Sequence, residues 1–144
     1  MENKSYTSTI EVPQSPKEVF NRIKDVSKWW NKEREGSSKK LNDEFIIRHS
    51  DVHYSKQKLV ELIPYKKVVW LVIDSKLDWL EKNKTEWTNT KMVFEITPNA
   101  DKTVVYFTHE GLVPEMECYA RVEQSWDIVI KDWLFNFITT GKRI

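Results

Sequence analysis

The sequence predicts an α+β domain in which a curved antiparallel sheet of about six strands wraps on one long C-terminal helix, with two short helices after the first strand. Three observations lead there. Residues 122–142, VEQSWDIVIKDWLFNFITTGK, read as a helix of about five turns with one broad apolar face. Between residues 44 and 110, alternating β-rich segments follow one another across short turns, which implies antiparallel neighbours. A lone strand-like segment and a capped helical segment precede them.

Each element has its own warrant, taken in chain order. Residues 6–12, YTSTIEV, alternate and are rich in β-branched types, the pattern of a strand. In SPKEVFNRIKD, Ser15 is an N-cap, Pro16 suits the first helical position, and Glu18 completes a capping box. Val19, Phe20 and Ile23 form its buried face, and the helix is expected to end near Asp25. VSKWWN, residues 26–31, continues as a second short helical piece, and the polar KEREGSSKKLN after it reads as a loop. Strands follow at 44–49 (EFIIRH), 55–63 (SKQKLVELI), 68–74 (VVWLVID), 91–97 (KMVFEIT) and 103–110 (TVVYFTHE). The charged stretch 75–89, SKLDWLEKNKTEWTN, is read as a longer connection with some helix. Parity puts Met92, Phe94 and Ile96 on the inner face, because Glu95 marks the outer one; Val105, Phe107 and His109 form one of two sets on the next strand.

On the last helix, Trp126, Ile130, Trp133 and Phe137 fall within roughly 40° of one another at 100° per residue, flanked by Val122 and Val129. Asp127 and Lys131 lie opposite, one turn apart and of opposite sign. Gly141 is the expected stop, since glycine accepts the left-handed conformation that ends helices.

The totals narrow the function classes. At 144 residues, one domain spanning 1–144 is expected, large enough to bury a core without disulfide or metal. With 23 basic and 22 acidic residues, nothing global favours nucleic acid. Cys118 is the sole cysteine, which excludes an internal disulfide and fits a reducing compartment. The start, MENKSYTSTIEV, has no apolar run after a basic stretch, and no window approaches a membrane span, so a cytoplasmic protein is expected. Seven tryptophans suit either a bulky core or an aromatic-lined pocket.

TIEVPQSPKEVFNRIKDVSKWW, EWTNTKMVFEITP, and the later FTHEGL, ECY, SW and TTGK elements, taken in order over nearly the whole chain, resemble the START-like (SRPBCC) superfamily. Within it the chain is similar to bacterial proteins related to the C-terminal domain of the activator of the 90-kDa heat-shock protein's ATPase. The resemblance implies the helix-grip fold and a hydrophobic cavity under Trp126 to Phe137. It carries no shared catalytic motif. The eukaryotic co-chaperone has a separate N-terminal domain for much of its chaperone contact, whereas this chain begins directly in the first strand of the grip.

The chemistry-bearing residues are few. His109 either exchanges a proton inside the cavity or hydrogen-bonds and stacks beside an aromatic ring. His49 and His53 fall on either side of a turn and, even with Cys118, form no metal signature. Cys118 stands before the last helix, where Glu115 and Glu117 oppose a thiolate, so an inert thiol is expected. Of Trp29 and Trp30, one joins the core and the other lines the entrance; Trp70 packs on a sheet face, and Trp79 and Trp87 anchor the connection or form a lid.

The leading expectation is a non-enzymatic domain holding a hydrophobic small molecule (a lipid, aromatic metabolite or polyketide-like compound). The cavity would be lined by Trp30, Phe94, Phe107, His109, Trp126, Ile130, Trp133 and Phe137. The alternatives are a chaperone-associated interaction module and a cyclase-like enzyme. No catalytic residue, cofactor, metal or nucleic-acid partner is assigned.

Overall fold

A computed structural model describes residues 5–31 and 34–143; residues 1–4 of the stretch read for a leader, Lys32 and Glu33 of the expected loop, and Ile144 lie outside the described residues. The chain runs β1 (Tyr6–Val12), α1 (Pro16–Lys24), α2 (Val26–Trp29), β2 (Glu35–Gly36), β3 (Glu44–His49), β4 (His53–Ile63), β5 (Lys67–Leu77), β6 (Lys91–Asn99) and β7 (Lys102–Glu110). The terminal helix comprises α3 (Tyr119–Ile128), a π-turn (Val129–Leu134) and α4 (Phe135–Thr140). The strands form one antiparallel sheet in the order β1-β7-β6-β5-β4-β3-β2. This is the expected α+β helix-grip arrangement.

The local causes match the sequence signals. Glu18 N–H donates to Ser15 Oγ at 3.2 Å with Pro16 at the helix start. The Glu18 carboxylate accepts from the Ser15 hydroxyl instead of reaching the Ser15 backbone. Gly141 takes φ 86° and its N–H caps the Phe137 carbonyl at 2.9 Å. Arg22 Nη1 donates to that same carbonyl at 2.8 Å, and its guanidinium stands 4.9 Å over the Phe137 ring, which ties α1 to α4. Tyr6 donates to Asp127 Oδ1 at 2.5 Å, tying β1 to α3.

Three expectations need correction. The sheet has a seventh strand, β2, inside the stretch read as loop. Gly36 makes it work: at φ 92° an added Cβ would press into the Glu44 carbonyl, so only glycine admits this approach to β3. The connection after β5 contains turns and no helix, and β5 itself continues to Leu77. Register shifts at Lys56/Gln57 and Leu59/Glu61 let β4 bend while β5 extends alongside it.

The third correction concerns the terminal helix. The π-turn widens it, so the buried residues after Trp126 are Val129, Ile130, Leu134, Phe137 and Ile138. Leu134 takes the inward place that a regular 3.6-residue period assigned to Trp133. Trp133 is rotated to the flank and is only partly buried.

The inner face of the sheet is as read for β6, with Met92, Phe94 and Ile96 buried, and on β7 it is the set Val105, Phe107 and His109 that turns inward. Trp29 and Trp70 are fully buried, stacked at 6.1 Å, with Phe94 edge-on to both. These rings and Phe107, 4.8 Å from Phe94, fill one half of the space between sheet and helix.

Candidate functional site: an aromatic cavity at the open end of the grip

The other half is not filled. A cavity of about 1000 Å³ lies between four elements. The end of α2 supplies Ser27 and Lys28, followed by Trp30 and Asn31. The β3–β4 hairpin supplies Ile47, Arg48, His49, Ser50, Val52 and His53. Trp79 and Trp87 come from the connection after β5. The terminal helix supplies Arg121, Val122, Ser125, Trp126, Val129 and Trp133, and Arg143 follows it.

Five indoles dominate the wall. Trp30 stacks parallel to core Trp70 at 5.7 Å and stands 5.3 Å from Trp126. Trp87 stacks on the far side of Trp126 at 6.2 Å and 9°. The cavity therefore continues the ring stack of the core through Trp30, which lies parallel to Trp70 and tilts 42° against Trp126. Trp79 carries the Arg121 guanidinium 5.0 Å above its ring, and Trp133 carries that of Arg143 at 3.8 Å. Arg143 Nη1 also donates to the Trp30 carbonyl at 3.2 Å.

Of the residues expected to line the cavity, Trp30, Trp126 and Trp133 do so. Phe94, Phe107, His109, Ile130 and Phe137 are buried in the packed half and are not among the lining residues. His109 sits behind Trp126 and Trp87. Trp126 Nε1–H donates to His109 Nδ1 at 3.0 Å, so Nδ1 is the acceptor and Nε2 bears the proton. Nε2 then donates to Thr90 Oγ1 at 2.8 Å, and Thr90 donates to the Trp87 carbonyl at 2.6 Å. Burial pushes this imidazole down to about 3, so it is neutral near pH 7.

His53 lines the cavity opposite His49, its partner across the hairpin. Gln57 Nε2 donates to Ser55 Oγ at 2.6 Å, which lets Ser55 donate onward to His53 Nε2 at 3.0 Å. Burial, and next the neighbouring His49, holds His53 down to about 4. Cys118 is buried; burial first and then the Glu86 carboxylate push its thiol up to about 12, the state of an unreactive group. Among the described residues, no three His, Cys, Asp or Glu side chains gather to hold a metal ion.

The arginines and the hairpin tip were not anticipated. One signal for them was present: Arg121, Ser125, Val129 and Trp133 recur every fourth residue, a second stripe beside the apolar one. The hairpin residues enter through the tertiary fold, for which no local pattern exists.

With this geometry the fold is defined: the chain is a helix grip, a curved antiparallel sheet closed on a long terminal helix. Compared with solved structures, it is similar to the Aha1 dimer from Colwellia psychrerythraea, with TM-score 0.76 and 20% identity, covering 96% of this chain and 98% of that one. It is also similar to DynU16, from the dynemicin biosynthetic locus, with TM-score 0.68 and 14% identity over 99% of this chain but only 49% of that one. CalU16 from Micromonospora echinospora matches with TM-score 0.65 and 12% identity, covering 94% and 76%. At these identities the likeness is one of fold. No protein-family model matches the chain, and no curated protein does. Among the described residues, no helix is long and apolar enough to cross a membrane.

Proposed function

We propose that residues 1–144 act as a single non-enzymatic START-like domain that binds a small hydrophobic molecule with a flat ring system in the aromatic cavity. The observation that carries this reading is the roughly 1000 Å³ space walled by five indoles. That volume lies at the upper end of ordinary ligand sites, and apolar burial against rings supplies the driving force.

A cyclase-like reading draws less support. It needs a proton-transfer group poised in the cavity, whereas both ring nitrogens of His109 are engaged behind Trp126, and His53, which does line the space, is bonded through Nε2 to Ser55 and kept neutral near pH 7 by burial. A chaperone-associated module draws on the Aha1 likeness. It also calls for a gathered apolar surface. The exposed large apolar residues Leu41, Val52, Ile63, Tyr65, Tyr106 and Ile128 are instead spread over three turns, two strands and a helix.

The test uses the neutral fluorophore N-phenyl-1-naphthylamine. Saturable binding with energy transfer from tryptophan is expected. Ser125→Trp, on the exposed flank of α3, should fill the cavity and weaken binding at least about tenfold, roughly 1.4 kcal/mol, with an unchanged thermal midpoint. Binding equal in wild type and Ser125→Trp would place the dye elsewhere and end the proposal.

A further inference from the structure

We infer that the guest is an aromatic anion: a ring system bearing a carboxylate, sulfonate or similar group that the cavity's cationic rim recognises. This inference rests on the binding-domain reading and names the chemical class of its ligand.

The first observation is the sign of the wall. The chain balances 23 basic against 22 acidic residues, yet among the described residues the charged ones lining the cavity are Lys28, Arg48, Arg121 and Arg143, with no Asp or Glu. Composition alone would mix the signs. The second is how those cations are occupied. Arg48 is paired with Glu35 at 2.8 Å. Lys28, Arg121 and Arg143 make no ion pair among the described residues.

The third observation is placement. The guanidiniums of Arg121 and Arg143 are laid over Trp79 and Trp133, two rings of the wall itself. A cation over an aromatic face is oriented by it and keeps its full charge. Each guanidinium retains N–H donors in the planar fork that matches carboxylate and sulfonate. Fixed positive charge beside a low-dielectric aromatic surface raises the local concentration of anions. Ser27, Asn31, Ser50 and Ser125 add neutral polar groups to the same rim. An uncharged guest would use the indoles and draw nothing from the three cations.

Two dyes separate the claims. 8-Anilinonaphthalene-1-sulfonate and N-phenyl-1-naphthylamine share one ring body and differ by the sulfonate. With the full chain, the sulfonate should bind at least about tenfold tighter, a difference of roughly 1.4 kcal/mol. That preference should shrink between about 20 and about 500 mM salt, as the screening length falls from roughly 20 to 4 Å. Arg121→Gln with Arg143→Gln should bring the ratio to within about twofold, the larger loss falling on the sulfonate, whereas Lys131→Gln, on the outer helix face, should leave the ratio unchanged. Arg121→Gln alone, at an exposed position, gives the same sign should the double variant lose its thermal transition.

Equal or tighter binding of the neutral dye would overturn the anion inference and leave the binding reading standing. A sulfonate preference that survives Arg121→Gln and Arg143→Gln would also overturn it, because the charge would then be read elsewhere. Failure of both dyes to saturate would remove the cavity reading and this inference together.

Discussion

His109 shows how much one residue's environment decides. Its two ring nitrogens are both spoken for, one accepting from Trp126 and one donating to Thr90, so a single neutral tautomer is selected. Protonation would break the Trp126 bond and bury a charge, which is why its affinity for a proton falls to about 3 from an ordinary 6.5. His53, at about 4, shifts the same way. In the unfolded chain both titrate near 6.5, so below that pH the unfolded state binds protons that the folded state refuses. Stability from these histidines is complete above about pH 7 and is lost as pH falls toward their folded values. Between pH 6 and 5 each should cost about 1–1.4 kcal/mol per pH unit. Urea unfolding across that window should give roughly twice the slope in wild type as in His109→Gln; a flat wild-type profile would contradict the assignment. The sequence put His109 on the same parity as Val105 and Phe107 but left open whether that set faced inward. It did not show the hydrogen bonds, because Thr90 and Trp126 reach it only through sheet register and helix packing.

At the scale of elements, strands and caps were legible and the helix register was not. Alternation assigned the inner face of β6 and narrowed β7 to two sets, and Ser15, Pro16 and Gly141 marked helix ends correctly. The π-turn left no such mark. VIKDWL is compatible with an ordinary helix, and the wider turn serves the fit to the sheet, bringing Ile130 and Leu134 inward while Trp133 moves to the cavity flank. The two side chains should therefore exchange their expected importance. Leu134→Ala, in a fully buried site, should cost about 2–5 kcal/mol. Trp133→Ala should cost less than Leu134→Ala, because much of that ring faces the cavity and Arg143. It should weaken binding of N-phenyl-1-naphthylamine more than its stability loss explains. Equilibrium denaturation of both variants checks this, and a larger loss for Trp133→Ala would restore the regular helical period.

At the scale of the molecule, the grip divides into a packed end and an open end. Trp29, Trp70, Phe94 and Phe107 close the first; the α2 end, the β3–β4 hairpin, the Trp79–Trp87 connection and α3 surround the second. The tryptophan count announced bulk beneath the helix, but whether the rings would fill the space or wall it depended on which indoles the topology brings to which end. Dynamics should follow this division. β6 and β7 are central strands, paired along both edges under the helix, so their amides should exchange hydrogen only on global opening. The hairpin tip at 49–53 is exposed and borders the cavity, as does the turn-rich connection, and neither has a packed layer across that space. Their amides should exchange through local opening, faster than those of the central strands. Adding N-phenyl-1-naphthylamine supplies the missing layer, so protection should rise at 49–53 and 79–87 and stay level in β6 and β7. Hydrogen exchange read by mass spectrometry resolves these segments. Uniform protection across both ends, or a gain confined to the packed end on adding the dye, would mean that the cavity does not act as the ligand-dependent half of this fold.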